Sequence, residues 1–363
     1  MKRDKQYFIN VGFVDFGYIS PELSSGDEFP DYIKKEAEIS IEDIQAHQSY
    51  DCLTLAFIAD IHYSDSYNHN VRTARLMNAY NTISDRVHID MLLLGGDYTN
   101  DGNKAYKVNN YRELRAFLGK DYFPVNGNHD DNSIWDQYIE AEKSTNHLPA
   151  EELYTLFFNH LPSLGAEFDK NNHGLYYLYN DYCKKVRYVF LDSSDAPETY
   201  DENGKLKYPK QHIFTFSQKQ IDWLINEALV FEEEGWDIVV VVHDPKEPSA
   251  GALPEILSAY KKGEKINKSF ESQGLCVSVN ADFSKSPRGD VVAVLSGHQH
   301  ADILDIDDCG IPYIYTNCAM MYLPERVDGE SSEILFDVVT INRKTRKIHI
   351  TRVGFGEDRD TEY

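Results

Sequence analysis

Positive charge is scarce in this chain of 363 residues. Its 36 Lys and Arg residues are outnumbered by 60 Asp and Glu residues, and the formal net charge is −24. A nucleic-acid duplex or an anionic membrane surface is bound by clustered Lys and Arg, so this balance argues against both as partners. It does not exclude a small phosphorylated substrate, because bound cations can dominate the electric field of a site.

Cysteine and long apolar runs are also scarce. The five cysteines are widely spaced and form no CxxC pair, which argues against a zinc-ribbon or redox motif. No apolar run approaches the ~20 residues that a membrane helix needs, and the basic N-terminal stretch lacks the apolar core of a signal peptide. We therefore expect a cytoplasmic protein that does not associate with membranes, whose oligomeric state its composition leaves open.

Short apolar runs alternate with helical stretches along the chain, a pattern typical of an α/β protein. We predict strands over residues 53–59, 91–94, 122–125, 186–191, 238–242 and 291–295. We predict helices over residues 71–86, 111–118, 133–142, 151–159 and 217–232. In the last of these, the apolar residues follow the i, i+3, i+4, i+7 spacing of one helix face.

The two ends of the chain differ from this alternating pattern. Within residues 326–363, EILFDVVTI and RKIHITRVGF are joined by NRKT, which predicts an antiparallel hairpin. At the other end, residues 6–19 could form one or two edge strands, and residues 21–48 are acidic and turn-rich. We interpret residues 1–50 as an extension that packs on the domain formed by residues 51–325.

Residues of metal-binding type follow five of the predicted strands directly. They are Asp60 and His62, Asp97, Asn128 with His129 and Asp130, His243, and finally His298 and His300. In open α/β sheets, ligands bind outside the carboxyl ends of the strands. Five strands therefore deliver carboxylate, amide and imidazole groups to one edge.

The local spacing of these residues also fits metal binding. Asp60 and His62 are two residues apart, so in an extended segment they point to the same side, and His298 and His300 repeat this spacing. Glycines precede Asp97, Asn128 and His298, where they permit tight turns and close approach to an ion. A mixed set of nitrogen and oxygen ligands without thiolate suits Zn, Mn or Fe better than Ca.

Five blocks in this order, DxH, GD, GNH(D/E), H and GHxH, resemble the calcineurin-like metallophosphoesterase superfamily. They span Asp60 to His300, and their form is most similar to bacterial cyclic-nucleotide-phosphodiesterase-like members. The resemblance implies a four-layer αββα sandwich, in which two mixed β-sheets are flanked by helices. It places a dimetal site at the C-terminal strand edges of a catalytic domain over 51–325, with the hairpin of 326–363 completing a sheet.

The resemblance also implies a role for each residue of the motifs. Two divalent cations, with Mn, Fe or Zn as the leading candidates, would be bound. One cation would be held by Asp60, His62 and His300, the other by Asn128, His243 and His298, and Asp97 would bridge them. Two cations ~3.5–4 Å apart can bind phosphoryl oxygens and acidify a bridging water molecule.

His129 resembles the catalytic histidine of the superfamily, which lies beside a ligand without being one. Its orienting partner is open on sequence grounds. Asn100 occupies the place of the Asp that pairs with this histidine in protein Ser/Thr phosphatases, and Asp130 is the other candidate. Asn100 also stands where purple acid phosphatases carry a Tyr ligand, which argues against an iron–tyrosinate centre.

The resemblance and the site chemistry predict a dimetal-dependent phosphoric ester hydrolase. It would direct a metal-bridging hydroxide at a small phosphodiester or phosphomonoester, with nucleotides among the candidates. Basic residues near the motifs are few, and Arg72, Lys104 and Lys246 are the candidate phosphate contacts. The alternatives are an inactive binding scaffold, although such relatives usually lose ligands, and a nuclease, which needs a basic groove.

Overall fold

The computed structural model of the chain describes residues 29–64, 69–119, 121–172, 174–285, 287–320 and 323–363. The edge strands predicted within residues 6–19 lie outside these described residues. None of the described helices is long and apolar enough to cross a membrane.

Helices and strands alternate along most of the described chain. The α-helices are α1 (Asp31–His47), α2 (His69–Ser84), α3 (Lys104–Leu118), α4 (Ser133–Tyr138), α5 (Ala150–Leu153), α6 (Leu161–Leu164), α7 (Gln218–Trp223) and α8 (Ala252–Lys262). The strands are β1 (Cys52–Ile58), β2 (Met91–Leu94), β3 (Tyr122–Pro124), β4 (Glu167–Phe168), β5 (Tyr177–Asp181), β6 (Val186–Leu191), β7 (Asp237–Val242), β8 (Lys265–Ser272), β9 (Leu275–Asp282), β10 (Asp290–Ser296), β11 (Ile303–Ile306), β12 (Pro312–Tyr315), β13 (Leu335–Asn342), β14 (Lys347–Gly354) and β15 (Arg359–Glu362). Two π-helical turns, Tyr154–Phe158 and Leu224–Ala228, continue α5 and α7, and 3₁₀ turns occur at Pro248–Gly251 and Ser331–Glu333.

Two mixed sheets form the centre of the molecule. The first has the strand order β15-β14-β13-β1-β2-β3, and the second has the order β11-β12-β10-β7-β6-β5-β4. Within the first, β1, β2 and β3 are parallel, and within the second β6, β7, β10 and β12 are parallel. The carboxyl ends of the parallel strands of each sheet therefore meet at one edge. Strands β8 and β9 form a separate antiparallel hairpin.

Strand β7 shows how the layers are stacked. Val239 and Val241 lie in the core between the two sheets, whereas Ile238, Val240 and Val242 belong to a second core under the helices α7 and α8. Because successive side chains of a strand point to opposite faces, a strand buried on both faces has an uninterrupted apolar sequence. Two sheets packed face to face and covered by helices confirm the predicted αββα architecture.

The N-terminal extension contributes a helix where the sequence suggested turns. In α1, Ile33, Ala37, Ile41 and Ile44 are buried at a helical spacing. This apolar stripe packs on α2 and β14, and the carboxylates of Glu36 and Asp43 at its border accept hydrogen bonds from Gly354 and Thr351 of β14. Strand β14 is part of an antiparallel hairpin with β13, which pairs in turn with β1. Helix α1 and the C-terminal hairpin β13–β14 therefore pack on each other.

Candidate metal centre

The loops after β1, β2, β3, β7 and β10 converge at one place. The N–H groups of Asp60 and His62 donate to the carbonyl oxygens of Gly96 and Asp97 at 3.0 and 2.9 Å, which joins the loops after β1 and β2. The N–H of His298 donates to the carboxylate of Asp60, at 3.0 Å from Oδ2. This last contact links the loop after β10 in one sheet to the loop after β1 in the other.

The backbone at this edge leaves the extended conformation that the i, i+2 spacing suggested. Five residues have positive φ angles: Asp60 at 52°, His62 at 44°, Asp97 at 54°, His298 at 69° and His300 at 47°. For residues other than glycine the left-handed conformation costs about 1–2 kcal/mol each. Strain of this kind is retained where the surrounding structure enforces it, and it is frequent at functional sites.

Four side chains form the first group of possible metal ligands. Asp60, His62, Asp97 and His300 each offer one ligand atom, and all four atoms lie within 4.8 Å of one another. His300 Nε2 is 3.2 Å from Asp60 Oδ1 and 3.2 Å from His62 Nε2. Two imidazole nitrogens facing each other beside two carboxylates form a donor set that a divalent cation would satisfy.

A second group lies on the other side of Asp97. The ligand atoms of Asp97, His243 and His298 are within 4.8 Å of one another. His243 Nε2 is 3.3 Å from Asp97 Oδ2 and 3.0 Å from Asn128 Oδ1, while its Nδ1 bonds the carbonyl oxygen of Gly95 at 2.7 Å. With a proton on Nδ1, three lone-pair atoms converge on one point, which fits a cation between them.

Asp97 is common to both groups. The same atom, Asp97 Oδ2, is 3.8 Å from His62 Nε2 and 3.3 Å from His243 Nε2. Its other oxygen, Oδ1, accepts the N–H of His129 at 2.8 Å, which fixes the rotation of the carboxylate. A single buried carboxylate is thus held where it could contact two neighbouring ions.

Two glycines are required by this packing. A Cβ atom on Gly96, whose φ is +94°, would lie 2.5 Å from Nδ1 of His243. A Cβ atom on Gly127 would lie 2.3 Å from both the backbone nitrogen and Oδ1 of Asp97. Real contacts of this kind do not occur, so any side chain at either position would displace a candidate ligand.

Burial and charge set the ionisation of the candidate ligands. Burial lowers the pKa of His62 to about 4, and burial together with His243 lowers the pKa of His298. Burial alone would raise the pKa of Asp97, but His243 and His129 hold it well below its ordinary value. Burial would lower the pKa of His243, but Asp97 raises it to about 10, so a cation binding at Nε2 would displace a proton from this ring.

His129 lies beside the two groups and contacts a carboxylate that the sequence analysis missed. Its Nδ1 is 2.6 Å from Asp101 Oδ2, and 24% of its side chain is exposed. Burial would lower the pKa of His129, but Asp97 and then Asp101 raise it to about 9. The buried ammonium of Lys107 donates to the carbonyl oxygens of Thr99 and His129 at 2.7 and 2.8 Å, which holds this pair in place.

Neither predicted partner of His129 takes the orienting position. The Asp130 carboxylate accepts the N–H groups of Asp97, Tyr98 and Gly127 at 3.0, 2.8 and 2.7 Å, so it joins the loops after β2 and β3. Asn100 donates its N–H to the carbonyl oxygen of Tyr63. The sequence signal for Asp101 was present in GDYTNDG, one residue beyond the position that the motif comparison selected.

The candidate phosphate contacts of the sequence analysis are engaged elsewhere. Arg72 pairs with Asp328 at 2.6 Å and Lys104 with Glu152 at 2.7 Å, while Lys246 pairs with Asp305. Positive charge at this edge would therefore come mainly from bound cations.

Comparison with known proteins identifies the family. The sequence profile of the calcineurin-like phosphoesterase family matches residues 53–302, and the chain belongs to this family. It is accordingly a phosphoesterase, and the family is dimetal-dependent. No curated protein sequence is significantly similar to this chain.

One solved structure shares the fold at low sequence identity, and two others align less closely. A dimetal phosphatase from Danio rerio aligns with a TM-score of 0.54 and 15% identity, covering 86% of this chain and 99% of that one. A purple acid phosphatase from yellow lupin aligns with a TM-score of 0.42 and 11% identity, covering 87% of this chain and 54% of that one. A 5′-nucleotidase from Candida albicans aligns with a TM-score of 0.41 and 14% identity, covering 81% of this chain and 48% of that one.

Proposed function

We propose that this phosphoesterase hydrolyses a small phosphodiester or phosphomonoester with two divalent cations bound at the strand edge. The observation that carries the proposal is the position of Asp97 Oδ2, which lies next to His62 on one side and His243 on the other. One cation would be held by Asp60, His62 and His300, and the other by Asn128, His243 and His298, with Asp97 between them. The mixed nitrogen and oxygen set suits Mn, Fe or Zn.

The two cations would neutralise phosphoryl oxygens and lower the pKa of a water molecule. The chain itself supplies the proton for the departing alkoxide. Asp101 engages Nδ1 of His129, which leaves Nε2 for the substrate. A protonated imidazole held this way is a suitable general acid, because the carboxylate of Asp101 at Nδ1 stabilises the charged ring. Asp101 is thus a positioning residue for His129.

The charges around the site favour small substrates over polyanions. Arg72, Lys104 and Lys246 each pair with a carboxylate, and the chain carries a net charge of −24. A nuclease of this family would need a basic groove, which this charge balance does not favour. An inactive scaffold is disfavoured because every candidate ligand, together with the His129–Asp101 pair, is retained in one cluster.

The test combines metal content with a substrate panel. The protein is stripped with a chelator, reloaded separately with Mn, Fe, Zn, Ni or Mg, and assayed against phosphate monoesters and diesters that include cyclic nucleotides. We expect two equivalents of metal by elemental analysis and hydrolysis of at least one ester class. Two bound equivalents with no turnover of any ester would favour the scaffold, and binding of no metal would overturn the proposal.

A further inference from the structure

An aromatic ring that no metal-binding role explains lies beside the proposed ligand His298. The ring centroids of Phe214 and His298 are 5.0 Å apart, with the ring planes inclined at 60°. Phe214 is only half-buried, whereas Phe216, two residues later, is 1% exposed and belongs to the core under α7 and α8. A large apolar ring that is left partly open next to a reaction centre can contact a substrate.

The backbone of Phe214 is held from two directions. Its N–H donates to Oε1 of Gln273 at 3.1 Å, and its carbonyl oxygen accepts the N–H of Ser249 at 3.3 Å. The same Gln273 side chain donates through Nε2 to the carbonyl oxygen of His212. The ring is therefore presented on a fixed loop, and an ordered aromatic group needs little further ordering when a ligand binds.

Gln273, which holds this loop, lies at the tip of the β8–β9 hairpin. Gln273 and Gly274 have φ angles of 55° and 78°, and Ser272 pairs with Leu275 across them, which is the geometry of a tight two-residue turn. The hairpin is anchored in turn by Gln218, whose amide group bonds both the N–H and the carbonyl oxygen of Ser278 at 2.7 and 2.9 Å. A rigid hairpin outside both large sheets thus reaches the loop that carries Phe214.

We propose that Phe214 forms a substrate subsite that stacks on an aromatic ring of the ester, such as a nucleobase or an aryl group. The inference rests on the proposed function, because it places the ring next to a ligand of the metal centre. Stacking suits this rim, since it selects an aromatic group through its π-face and needs no basic side chain. Gln273 acts through Phe214 and is a positioning residue for the subsite.

Benzyl phosphate and cyclohexylmethyl phosphate form a matched pair for the test. They are similar in size and leave as primary alcohols, but only the first carries an aromatic ring. In Phe214→Leu, which keeps an apolar side chain, KM for the benzyl ester should rise roughly 2- to 12-fold, the contribution of an aromatic pair beyond buried area. KM for the cyclohexylmethyl ester, kcat for both esters and the metal content should remain within about twofold of the wild type. If the wild type accepts only diesters, the methyl diesters of the same alcohols are used.

Two further variants separate stacking from packing. Gln273→Ala should raise KM selectively for the benzyl ester, because the loop that carries Phe214 loses its support. Tyr182→Leu is the control, since Tyr182 is 70% exposed in the turn before β6, at the opposite end of the strands. Tyr182→Leu should leave KM unchanged for both the benzyl and the cyclohexylmethyl ester.

Three outcomes would overturn the subsite. The first is an equal change of KM for both esters in Phe214→Leu, and the second is no change of KM for either. The third is loss of a metal equivalent, which would mean that Phe214 only packs against His298. Failure of the wild type to hydrolyse either kind of ester with any metal would instead count against the proposed function.

Discussion

Replacing Gly96 by Ala should disable the proposed metal centre while leaving the fold intact. The added Cβ would lie 2.5 Å from Nδ1 and 2.9 Å from Cγ of His243, whereas ordinary contacts begin at 3.4 Å. The ring must therefore move by about 1 Å, because carbon contacts are repulsive below ~3.5 Å. That movement would break the hydrogen bond to Gly95 and carry Nε2 away from Asp97.

The expected loss of stability has two contributions, backbone strain and a lost hydrogen bond. The φ angle of +94° is strained for Ala, which costs about 1–2 kcal/mol of the free energy of unfolding. Loss of the His243 hydrogen bond adds about 0.5–1.5 kcal/mol. For turnover, a misplacement of about 1 Å at a reaction centre is expected to cost roughly 10²-fold.

Gly235 provides a control in which only the backbone strain operates. Its φ angle is +88°, and a Cβ added there meets nothing within 4 Å. Gly235→Ala should therefore lose stability in urea by about 1–2 kcal/mol and keep full metal content and turnover. Gly96→Ala should lose more stability and also weaken one metal equivalent in a calorimetric titration. Wild-type metal affinity and turnover in Gly96→Ala would refute the placement of His243 in the centre.

Three further perturbations test other parts of the molecule. Asp97→Ala should lose activity together with metal, because in the proposed centre this one carboxylate would serve both ions. Two retained equivalents of metal by elemental analysis would contradict this. His129→Ala should keep both metals and lose roughly 10²–10⁴-fold in turnover, the range for a general acid, with a smaller loss for nitrophenyl than for alkyl esters. An equal loss for both ester types would exclude proton donation. The pKa of His349 is raised above its ordinary value, because the opposing effect of burial is outweighed by Asp360 and Asp43. The ion pairs of His349 therefore stabilise the fold fully below pH ~6.5, and this stabilisation is lost as pH rises through the raised pKa. His349→Gln should therefore lower Tm more at pH 6 than at pH 10, and an equal shift at both pH values would contradict the charge-based contribution.

The sheet edge was the most predictable part of the structure. Strands buried on both faces have continuous apolar sequences, so β2, β6 and β7 could be placed within a residue of their observed ends. A polar residue directly after such a strand has no packing role there, and parallel strands bring their carboxyl ends to one edge. Residues that share such an edge, as Asp60 and Asp97 do in the first sheet and His243 and His298 do in the second, can therefore be grouped although they are far apart in sequence.

Contacts that depend on the path of a loop were not predictable in this way. Asp101, and not Asn100, contacts His129 because of how the chain turns between β2 and α3. A rule based on sequence spacing cannot resolve a shift of one residue. The β8–β9 hairpin was missed because half of its strand side chains are exposed and its turn, Gln273–Gly274, lacks the Asn-Gly or Asp-Gly signal. Helix α1 was missed because its acidic residues hid the buried stripe.

The left-handed backbone at the strand edge has a consequence for how this sequence can change over time. Asp60, His62, Asp97, His298 and His300 all have positive φ angles that glycine would adopt without strain. Each non-glycine residue there forgoes about 1–2 kcal/mol of stability. A lineage released from catalysis could gain thermal stability at the three histidine positions by substitution to Gly. His62, His298 and His300 would then be among the earliest motif residues to disappear, so their persistence in a chain is itself a sign of continuing use.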